Sequence, residues 1–245
     1  MIEIKSASIS FGKKNVLQNV SVKSEIMSNT VILGKNGSGK SVLLKIAAGL
    51  LVPDSGEVLF DGKKISHEDY FRANKLSIGY VFQKGGLFDS MNLFDNVAFP
   101  LRRKGLTENE IPDIVLYNLR RVGLEGSEEK FPTELSGGMQ KRAGIARVLA
   151  MKPKVILYDD PAAGLDPVLT DSIADLILEI RETEKTTSLI VTHDMKFAEK
   201  IADEIVLLDS SQIVFYGDKN KFFSLEDPFA HQFVKGEIEG PIECQ

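Results

Sequence analysis

The sequence is poor in cysteine and shows no excess of positive charge. Its one cysteine, Cys244, cannot form an intrachain disulfide, which fits a reducing compartment, and we assign it no role. The 30 Lys and Arg residues face 35 Asp and Glu residues, so the formal net charge is -5. Because a nucleic-acid-binding surface needs concentrated positive charge, we expect no nucleic acid partner.

Long apolar runs, internal repeats and low-complexity linkers are also missing. No run approaches the roughly 18 apolar residues of a membrane-spanning helix. The first residues contain Glu3 and lack the apolar core of a secretory signal, so we expect no signal peptide. With 43% hydrophobic residues, residues 1–245 are expected to form one domain with packed lobes.

Two kinds of apolar pattern indicate the fold class. Residues 2–11 and 16–22 alternate apolar and polar side chains, as half-buried antiparallel strands do. Four later segments are apolar throughout, which is typical of strands buried on both faces: residues 31–33, 155–158, 189–191 and 205–208. Helical patterns lie between most of these, so we predict an α/β fold with a mostly parallel sheet and an N-terminal antiparallel β lobe.

The central part of the chain has the character of helices. Asn92 and Thr107 are predicted to be N-caps, and three prolines, Pro100, Pro112 and Pro132, are predicted to punctuate the helical sequence. We expect a helical lobe near residues 85–150, inserted into the α/β core, and a C-terminal tail near residues 220–245.

A glycine-rich loop follows the first buried strand and precedes a helix predicted over residues 42–50. It consists of Gly34, Lys35, Asn36, Gly37, Ser38, Gly39, Lys40 and Ser41, and Val42 follows it. This is the pattern of a P-loop, in which backbone N–H groups and a helix N-terminus face phosphate oxygens. Lys40 is predicted to contact the β- and γ-phosphates of ATP, and the Ser41 hydroxyl to bind Mg²⁺. The alternative is a strand-to-helix turn without a ligand.

Polar residues follow three of the other predicted strands. Asp159 and Asp160 come after residues 155–158, at the sheet edge where parallel α/β proteins bind ligands, and Asp159 is predicted to be the second Mg²⁺ anchor. His193 follows the strand predicted over residues 189–192, and Gln83 ends a strand-like segment at residues 78–82. Taken alone, an Asp pair is more often a cap or a solvated loop, and His193 and Gln83 are more often structural.

A short motif, LSGGMQ, occupies residues 135–140 and precedes a helix predicted over residues 143–150. By itself, Ser-Gly-Gly before a helix is an ordinary cap or turn. Its meaning therefore depends on the other motifs.

In this order along the chain, the motifs resemble those of ABC (ATP-binding cassette) ATPases over nearly the whole sequence. The resemblance makes residues 34–41 the Walker A motif, Gln83 the Q-loop, residues 135–140 the signature, and Tyr158-Asp159 the Walker B motif. It also makes Gly164-Leu165-Asp166 the D-loop and His193 the switch histidine, and it places Phe11 where the family stacks an aromatic ring on adenine. Asp160, His193 and Gln83 are then expected to be catalytic, and Ser41, Gln83 and Asp159 to bind the metal.

The resemblance implies a head-to-tail homodimer with ATP between two subunits. One subunit would supply the P-loop, and its partner would contribute Ser136, Gly137, Gly138, Met139 and Gln140. A helix N-terminus meeting the γ-phosphate would explain why that element acts in trans.

Two segments resemble a narrower group, the ATPases paired with MCE-domain lipid transporters of the Mla type. These are residues 83–101 and 233–242. The resemblance implies phospholipid as cargo, an MCE-domain partner, and a location on the cytoplasmic face of the inner membrane, held there by a permease. In the family, the region after the Q-loop receives the permease, so we expect contact along residues 87–100, which begin with Leu87 and end with Pro100. The alternative is that these residues are core of the helical lobe.

The chain departs from the family at Asp160, where ABC ATPases usually carry the glutamate that acts as general base. Aspartate is one methylene shorter, and a misplacement of about 1 Å can cost about 10²-fold in rate. We expect Asp160 to remain the base, with slower hydrolysis, because proton transfer can pass through one water. Gly164 also replaces a more common serine or alanine, and we attach no mechanism to that.

Three other functions remain open at this stage. An ABC motor for another solute would share every catalytic residue and differ only in residues 85–101 and the tail. A non-transport ABC protein would carry coiled-coil insertions or two cassettes, and the chain has no sustained heptads. A module that binds ATP without turnover is favoured only by Asp160.

Overall fold

The computed structural model describes residues 1–65, 77–237 and 239–242. Cys244 and Ile238 of the tail lie outside these ranges. The described strands are β1 (Ile2–Phe11), β2 (Lys14–Ser24), β3 (Asn29–Leu33), β4 (Ser55–Phe60), β5 (Lys63–Ile65), β6 (Ile78–Val81), β7 (Val155–Asp159), β8 (Thr187–Val191), β9 (Glu204–Asp209) and β10 (Gln212–Asp218). The described helices are α1 (Lys40–Ala47), α2 (Leu93–Lys104), α3 (Ile111–Arg121), α4 (Gly137–Leu149), α5 (Pro167–Glu184), α6 (Met195–Ile201), α7 (Lys219–Phe223) and α8 (Pro228–Lys235), and a 3₁₀ turn spans Pro132–Glu134.

The strands form two sheets that match the two apolar patterns. The first has the order β2-β1-β4-β5 and is antiparallel, with apolar side chains alternating into the core. The second has the order β10-β9-β3-β8-β7-β6 and is parallel except for β10. Every residue of β3 and β8 is buried, as expected for strands covered on both faces. The predicted α/β class with an antiparallel lobe is therefore confirmed.

Helices α2, α3 and α4 pack on one another in the middle of the chain. The three helices share a buried apolar core. Its residues include Leu93, Val97, Leu101, Ile111, Val115, Leu119, Ala143, Ile145 and Ala146. No helix within the described ranges is long and apolar enough to cross a membrane.

Three predicted boundaries hold, at Asn92, Pro112 and Pro132, which begins the 3₁₀ turn, and several others are wrong. Asn92 caps α2, because its side chain accepts a hydrogen bond from the N–H of Asp95. Thr107 does not cap α3: its N–H and hydroxyl both donate to the Glu110 carboxylate, and the helix begins at Ile111. Pro112 stands in the first turn of α3, where its missing N–H costs no helical bond.

Pro100 lies inside α2 instead of ending a helix. Helix α1 begins at Lys40 and ends at Ala47, earlier than the predicted span of residues 42–50. Helix α4 begins at Gly137 instead of residue 143, because Ser136 caps it by accepting a hydrogen bond from the N–H of Met139. The glycines of the LSGGMQ motif are thus the first turn of a helix.

Candidate functional site

The loop between β3 and α1 has a backbone that only glycine suits at two positions. Gly34 has φ of 152°, and a Cβ there would lie 2.2 Å from the carbonyl oxygen of Leu208. Gly39 has φ of 104° and precedes α1 directly, and a Cβ there would lie 2.8 Å from the carbonyl oxygen of Val16. Because glycine allows these close approaches, the loop can curve tightly, and the N-terminus of α1 lies at its end.

Lys40 is the first residue of α1 and extends back over the loop. Its Nζ atom donates to the carbonyl oxygens of Gly34 and Lys35, both at 2.8 Å. Burial lowers the pKa of the Lys40 ammonium, while Asp160 and Asp159 act in the opposite direction. Only 8% of the residue is exposed, so an anion bound in the loop would meet a cation that is largely desolvated.

Ser38, in the same loop, carries a polar atom without a partner. Its Oγ atom is buried and finds no hydrogen-bond partner among the described residues. Buried hydroxyls are normally paired, and an unpaired one calls for a ligand or another explanation.

An open pocket of about 300 Å³ joins the loop to the carboxyl ends of the central strands. Its lining combines predicted site residues with two aliphatic ones: Val16, Asn36, Gly37, Gly39, Lys40, Ser41, Val42, Gln83, Asp159, Asp160, Val191 and His193. Site residues predicted from four separate stretches of sequence therefore meet in one place, at the sheet edge where α/β proteins bind ligands.

Asp159 ends β7 with both carboxylate oxygens engaged. Its Oδ1 atom accepts a hydrogen bond of 2.7 Å from the Ser41 hydroxyl, and its Oδ2 atom accepts one of 2.8 Å from the Tyr80 hydroxyl. Ser41 and Asp159, the two residues predicted to bind Mg²⁺ from the P-loop and β7, are thus adjacent. Their hydroxyl and carboxylate oxygens are the donor types that Mg²⁺ prefers, and a bound nucleotide would add phosphate oxygens.

Protein side chains alone do not make a full metal cage at this place. The described residues contain no group of three or more His, Cys, Asp or Glu that could hold a metal ion. That composition fits Mg²⁺, which is usually held by one or two protein oxygens together with substrate phosphates.

Asp160 is the next residue, and its side chain turns toward β8 and His193. Its Oδ2 atom lies 2.8 Å from Nδ1 of His193, and its Oδ1 atom accepts from the Thr192 hydroxyl at 3.2 Å. With the carboxylate as acceptor, Nδ1 carries the hydrogen, and Nε2 is left for another partner. The Asp160 side chain is 13% exposed and the His193 side chain is 56% exposed, so the carboxylate is mostly buried while the imidazole is open to solvent.

The backbone of Asp160 is in the left-handed region, with φ of 48°, and Pro161 follows it. Aspartate tolerates this region better than most residues, because its short polar side chain can form local hydrogen bonds. A strained backbone at a site that is fixed by surrounding contacts is a common feature of functional positions.

Several predicted site residues lie outside this pocket. Phe11 ends β1 with 52% of its surface exposed. The side chain of Asp166 accepts hydrogen bonds from the N–H groups of Val168 and Leu169, so within one chain it acts as the N-cap of α5.

The LSGGMQ motif also does not line the pocket. Ser136 and Gly137 are exposed at the N-terminus of α4, while Gly138 is buried against Leu169. The Gln140 side chain donates to the carbonyl of Pro132, and Met139 is partly buried. The helix N-terminus at this motif is therefore exposed and is not part of the pocket beside the P-loop of its own chain.

No role in the site was predicted from the sequence for two residues that contact the carboxylates, Tyr80 and Thr192. Each binds a carboxylate oxygen from a strand or strand end that neighbours β7. Their places along the strands could have indicated contact with the carboxylates only if the order of the strands in the sheet had been known.

A second, larger cavity of about 610 Å³ lies beside β6. Four aromatic residues (Tyr80, Phe82, Phe88 and Phe99), two cations (Lys104 and Arg147) and smaller residues such as Gly86 and Pro100 line it. Arg147 donates to the carbonyls of Gly86 at 2.6 Å and Gly85 at 3.2 Å, which fixes the loop that forms one wall.

One known protein family matches the part of the chain that contains most of the site residues. The family model described as ABC transporter matches residues 17–163, which include the glycine-rich loop, the LSGGMQ motif and both adjacent carboxylates. The probable ribonucleotide transport ATP-binding protein mkl of Mycobacterium leprae is 42% identical over 245 residues, or 98% of this chain and 70% of that protein.

A second relative and a solved structure also match most of the chain. The intermembrane phospholipid transport system ATP-binding protein MlaF of Haemophilus influenzae is 37% identical, over 99% of this chain and 93% of its own length. The dimeric structure of MJ0796, a bacterial ABC transporter cassette, superposes with a TM-score of 0.82 at 30% identity, over 89% of this chain and 99% of the other.

Proposed function

Because the chain belongs to the ABC transporter family of ATP-binding proteins, we propose that it is the motor of a transporter that moves phospholipid between the inner and outer membranes. ABC ATPases dimerise and work with membrane permease subunits, and an MCE-domain protein would complete this complex. In this proposal residues 1–245 form a single nucleotide-binding domain, with a helical lobe near residues 85–150 and a tail near residues 220–245. The chain would sit on the cytoplasmic face of the inner membrane, attached through the permease.

The pocket beside the glycine-rich loop supports ATP binding and hydrolysis. The loop N–H groups, the N-terminus of α1 and Lys40 would bind the phosphates, with Phe11 against the adenine. Ser41, Asp159 and Gln83 would hold Mg²⁺, which supplies charge neutralisation on the β- and γ-phosphates when bound. All these groups except Phe11 meet in the 300 Å³ pocket.

Asp160 is proposed as the general base. Its carboxylate would accept a proton from the attacking water, directly or through one further water. His193 holds this carboxylate through Nδ1 at 2.8 Å and keeps Nε2 for the γ-phosphate side. Thr192 fixes the other oxygen, so the shorter side chain is held in one orientation. This Asp160 carboxylate, held by His193 and Thr192, is the observation that favours ATP hydrolysis over ATP binding alone.

The second half of the site is proposed to come from a partner subunit. Ser136 and Gly137 are exposed at the N-terminus of a 13-residue helix, where the helix dipole and unpaired N–H groups favour an anion. Because this end does not line the pocket of its own chain, a head-to-tail dimer is the arrangement that would bring it to ATP. Gly138, Met139, Gln140 and the D-loop residue Asp166 would support that interface.

The apolar cavity beside β6 is proposed to receive the permease. Phe88, Phe99 and Pro100 of the predicted contact segment line it, whereas Leu93 and Val97 are buried in the core. The segment is thus partly surface and partly core. Its apolar walls and two cationic groups suit a short apolar helix that carries a carboxylate.

Phospholipid is preferred as cargo because one relative described as a phospholipid transport protein matches over nearly the full length of both chains. A second candidate has support of its own, since the relative with 42% identity is described as a probable ribonucleotide transport protein. The two candidates share the ATPase chemistry and differ in the permease and in what that permease carries.

Purification of the tagged chain from native membranes in mild detergent, with mass spectrometry of proteins and lipids, tests the proposal. Recovery of a polytopic permease, an MCE-domain protein and enriched phospholipid is the expected result. A permease recovered with a different solute-binding subunit and no enriched lipid would refute phospholipid as cargo. The Lys40→Ala variant, purified in the same way, controls for contacts that depend on nucleotide.

A further inference from the structure

Tyr80 occupies a place between the nucleotide pocket and the apolar cavity. It belongs to β6, the edge strand of the parallel sheet, and its hydroxyl donates to Oδ2 of Asp159 at 2.8 Å. Its ring lies 4.5 Å from the ring of Phe82, which is 41% exposed and lines the cavity. One side chain therefore contacts both the metal-binding carboxylate and the cavity wall.

The hydroxyl of Tyr80 fixes a torsion that is otherwise soft. The terminal torsion of an aspartate has broad minima, so a carboxylate bound at one oxygen can still rotate. Ser41 holds Oδ1 of Asp159, and Tyr80 holds Oδ2. An ordinary tyrosine phenol has a pKa of about 10, so it is a hydrogen-bond donor at neutral pH.

We infer that Tyr80 is a positioning residue, which orients Asp159 toward Mg²⁺ and links that orientation to the wall of the apolar cavity. This inference rests on the proposed function, in which Asp159 binds the metal. Partners of metal ligands set both ligand orientation and metal affinity. Tyr80 would make the metal site respond to whatever displaces Phe82.

The link to the cavity follows from packing at the Phe82 ring. A Cβ added to Gly86 would lie 2.7 Å from this ring, so the loop after Gln83 presses closely against it. Arg147 holds the carbonyls of Gly85 and Gly86 and thereby fixes the same loop. A helix entering the cavity would press on Phe82, and the tilted contact between the two rings would pass this displacement to Tyr80.

The test measures metal binding without turnover. Mn²⁺ is titrated by electron paramagnetic resonance into the full chain saturated with a non-hydrolysable ATP analogue. The Tyr80→Phe variant keeps the ring and removes the hydroxyl, so we expect Mn²⁺ to bind about tenfold more weakly. Affinity for the analogue without metal should stay at the native value. Native Mn²⁺ affinity in Tyr80→Phe would overturn the inference.

Tyr216→Phe is the matched control, because the Tyr216 hydroxyl also donates a hydrogen bond, to the carbonyl of Lys23, and neither residue lines the nucleotide pocket. It should leave Mn²⁺ affinity unchanged. An equal loss in both variants would mean a general effect of hydroxyl removal and would also overturn the inference.

Two further variants separate this inference from the proposed function. Asp159→Asn should weaken Mn²⁺ binding at least as much as Tyr80→Phe, and native binding in that variant would refute the metal site itself. Phe82→Leu should weaken Mn²⁺ binding less than Tyr80→Phe, and the double variant should equal Tyr80→Phe alone. Additive effects in the double variant would refute the link to the cavity.

Discussion

Asp160 and His193 are joined by a contact of 2.8 Å between Oδ2 and Nδ1, and this contact crosses from the end of β7 to the residues after β8. Thr192 completes the arrangement by donating to the other carboxylate oxygen. A carboxylate held at both oxygens has a fixed direction, which suits a group that must meet an attacking water.

Replacing Asp160 by asparagine removes the proposed proton acceptor while keeping size and most contacts. Hydrolysis should fall by about 10²-fold or more, since general base catalysis contributes on that scale. Nucleotide binding should persist, and the ATP-bound dimer should live longer. Phosphate release and size-exclusion chromatography with ATP measure both effects.

Asp160→Glu is the companion variant, because it adds the methylene by which aspartate is shorter than the glutamate that we expected at this position. Turnover should rise, by up to about 10²-fold if misplacement alone limits it. The left-handed backbone at φ of 48° favours aspartate, so some stability should be lost. An unchanged rate in Asp160→Glu would argue against Asp160 as the limiting group.

Lys40→Ala should remove most of the affinity for ATP while leaving the fold intact. The ammonium lies over the loop and donates to the carbonyls of Gly34 and Lys35, so its loss takes away the main cation of the pocket. Titration with a fluorescent nucleotide measures the change. Lys45→Ala, at the last turn of the same helix, should bind ATP as the native chain does.

Gly137→Asp places a negative charge at the exposed N-terminus of α4. A Cβ at Gly137 meets no atom within 4 Å, so the single chain should keep its stability and its ATP affinity. The charge should repel the ATP phosphates of the partner and prevent the ATP-dependent dimer. Gly137→Ala is the control for side-chain size. Analytical ultracentrifugation with and without ATP distinguishes these results.

Asn96→Ala tests how the loop before α2 is held. The buried side chain of Asn96 accepts from the N–H of Phe88 at 2.7 Å and donates to the carbonyls of Phe88, Met91 and Asn92. A buried polar group that loses its partner costs about 1–3 kcal/mol, so removing this buried amide and its bonds should lower the free energy of unfolding by about 2 kcal/mol. Asn92→Ala, the loss of one N-cap, should cost about 1 kcal/mol. Urea denaturation compares them.

Lys141→Met should stabilise the chain at neutral pH. Lys141 is 7% exposed, its Nζ atom has no hydrogen-bond partner within the described residues, and burial lowers its pKa. Because the unfolded chain binds this proton more strongly, native stability rises as pH passes from the lowered pKa toward the ordinary value of 10.5. The advantage of Lys141→Met should therefore shrink over that window. Melting temperatures from pH 7 to pH 10 provide the check.

The sequence predicted those parts of the molecule that local pattern determines. The buried strands, the loop at residues 34–41 and the N-cap Asn92 follow from alternation, glycine spacing and side-chain capping. Helix α4 was predicted to start too late, because two glycines argue for a turn. Packing of Gly138 against Leu169 and the Ser136 cap outweigh that propensity.

Contacts between distant strands could not be predicted in this way. Tyr80 meets Asp159 because β6 and β7 are parallel neighbours, with Tyr80 paired to Leu157. Thr192 meets Asp160 because β8 lies on the other side of β7. Neither neighbour relation can be read from residue spacing, since helices and loops of any length can separate adjacent parallel strands.

We propose that ATP is hydrolysed between the P-loop of one chain and the LSGGMQ helix of another. Mixing Lys40→Ala with Gly137→Asp chains, in the complex with the permease, tests this arrangement through the rate of phosphate release. Each variant alone should be inactive, whereas the mixture forms heterodimers with one intact composite site and should recover a fraction of the native rate. A mixture as inactive as either variant would contradict the shared site.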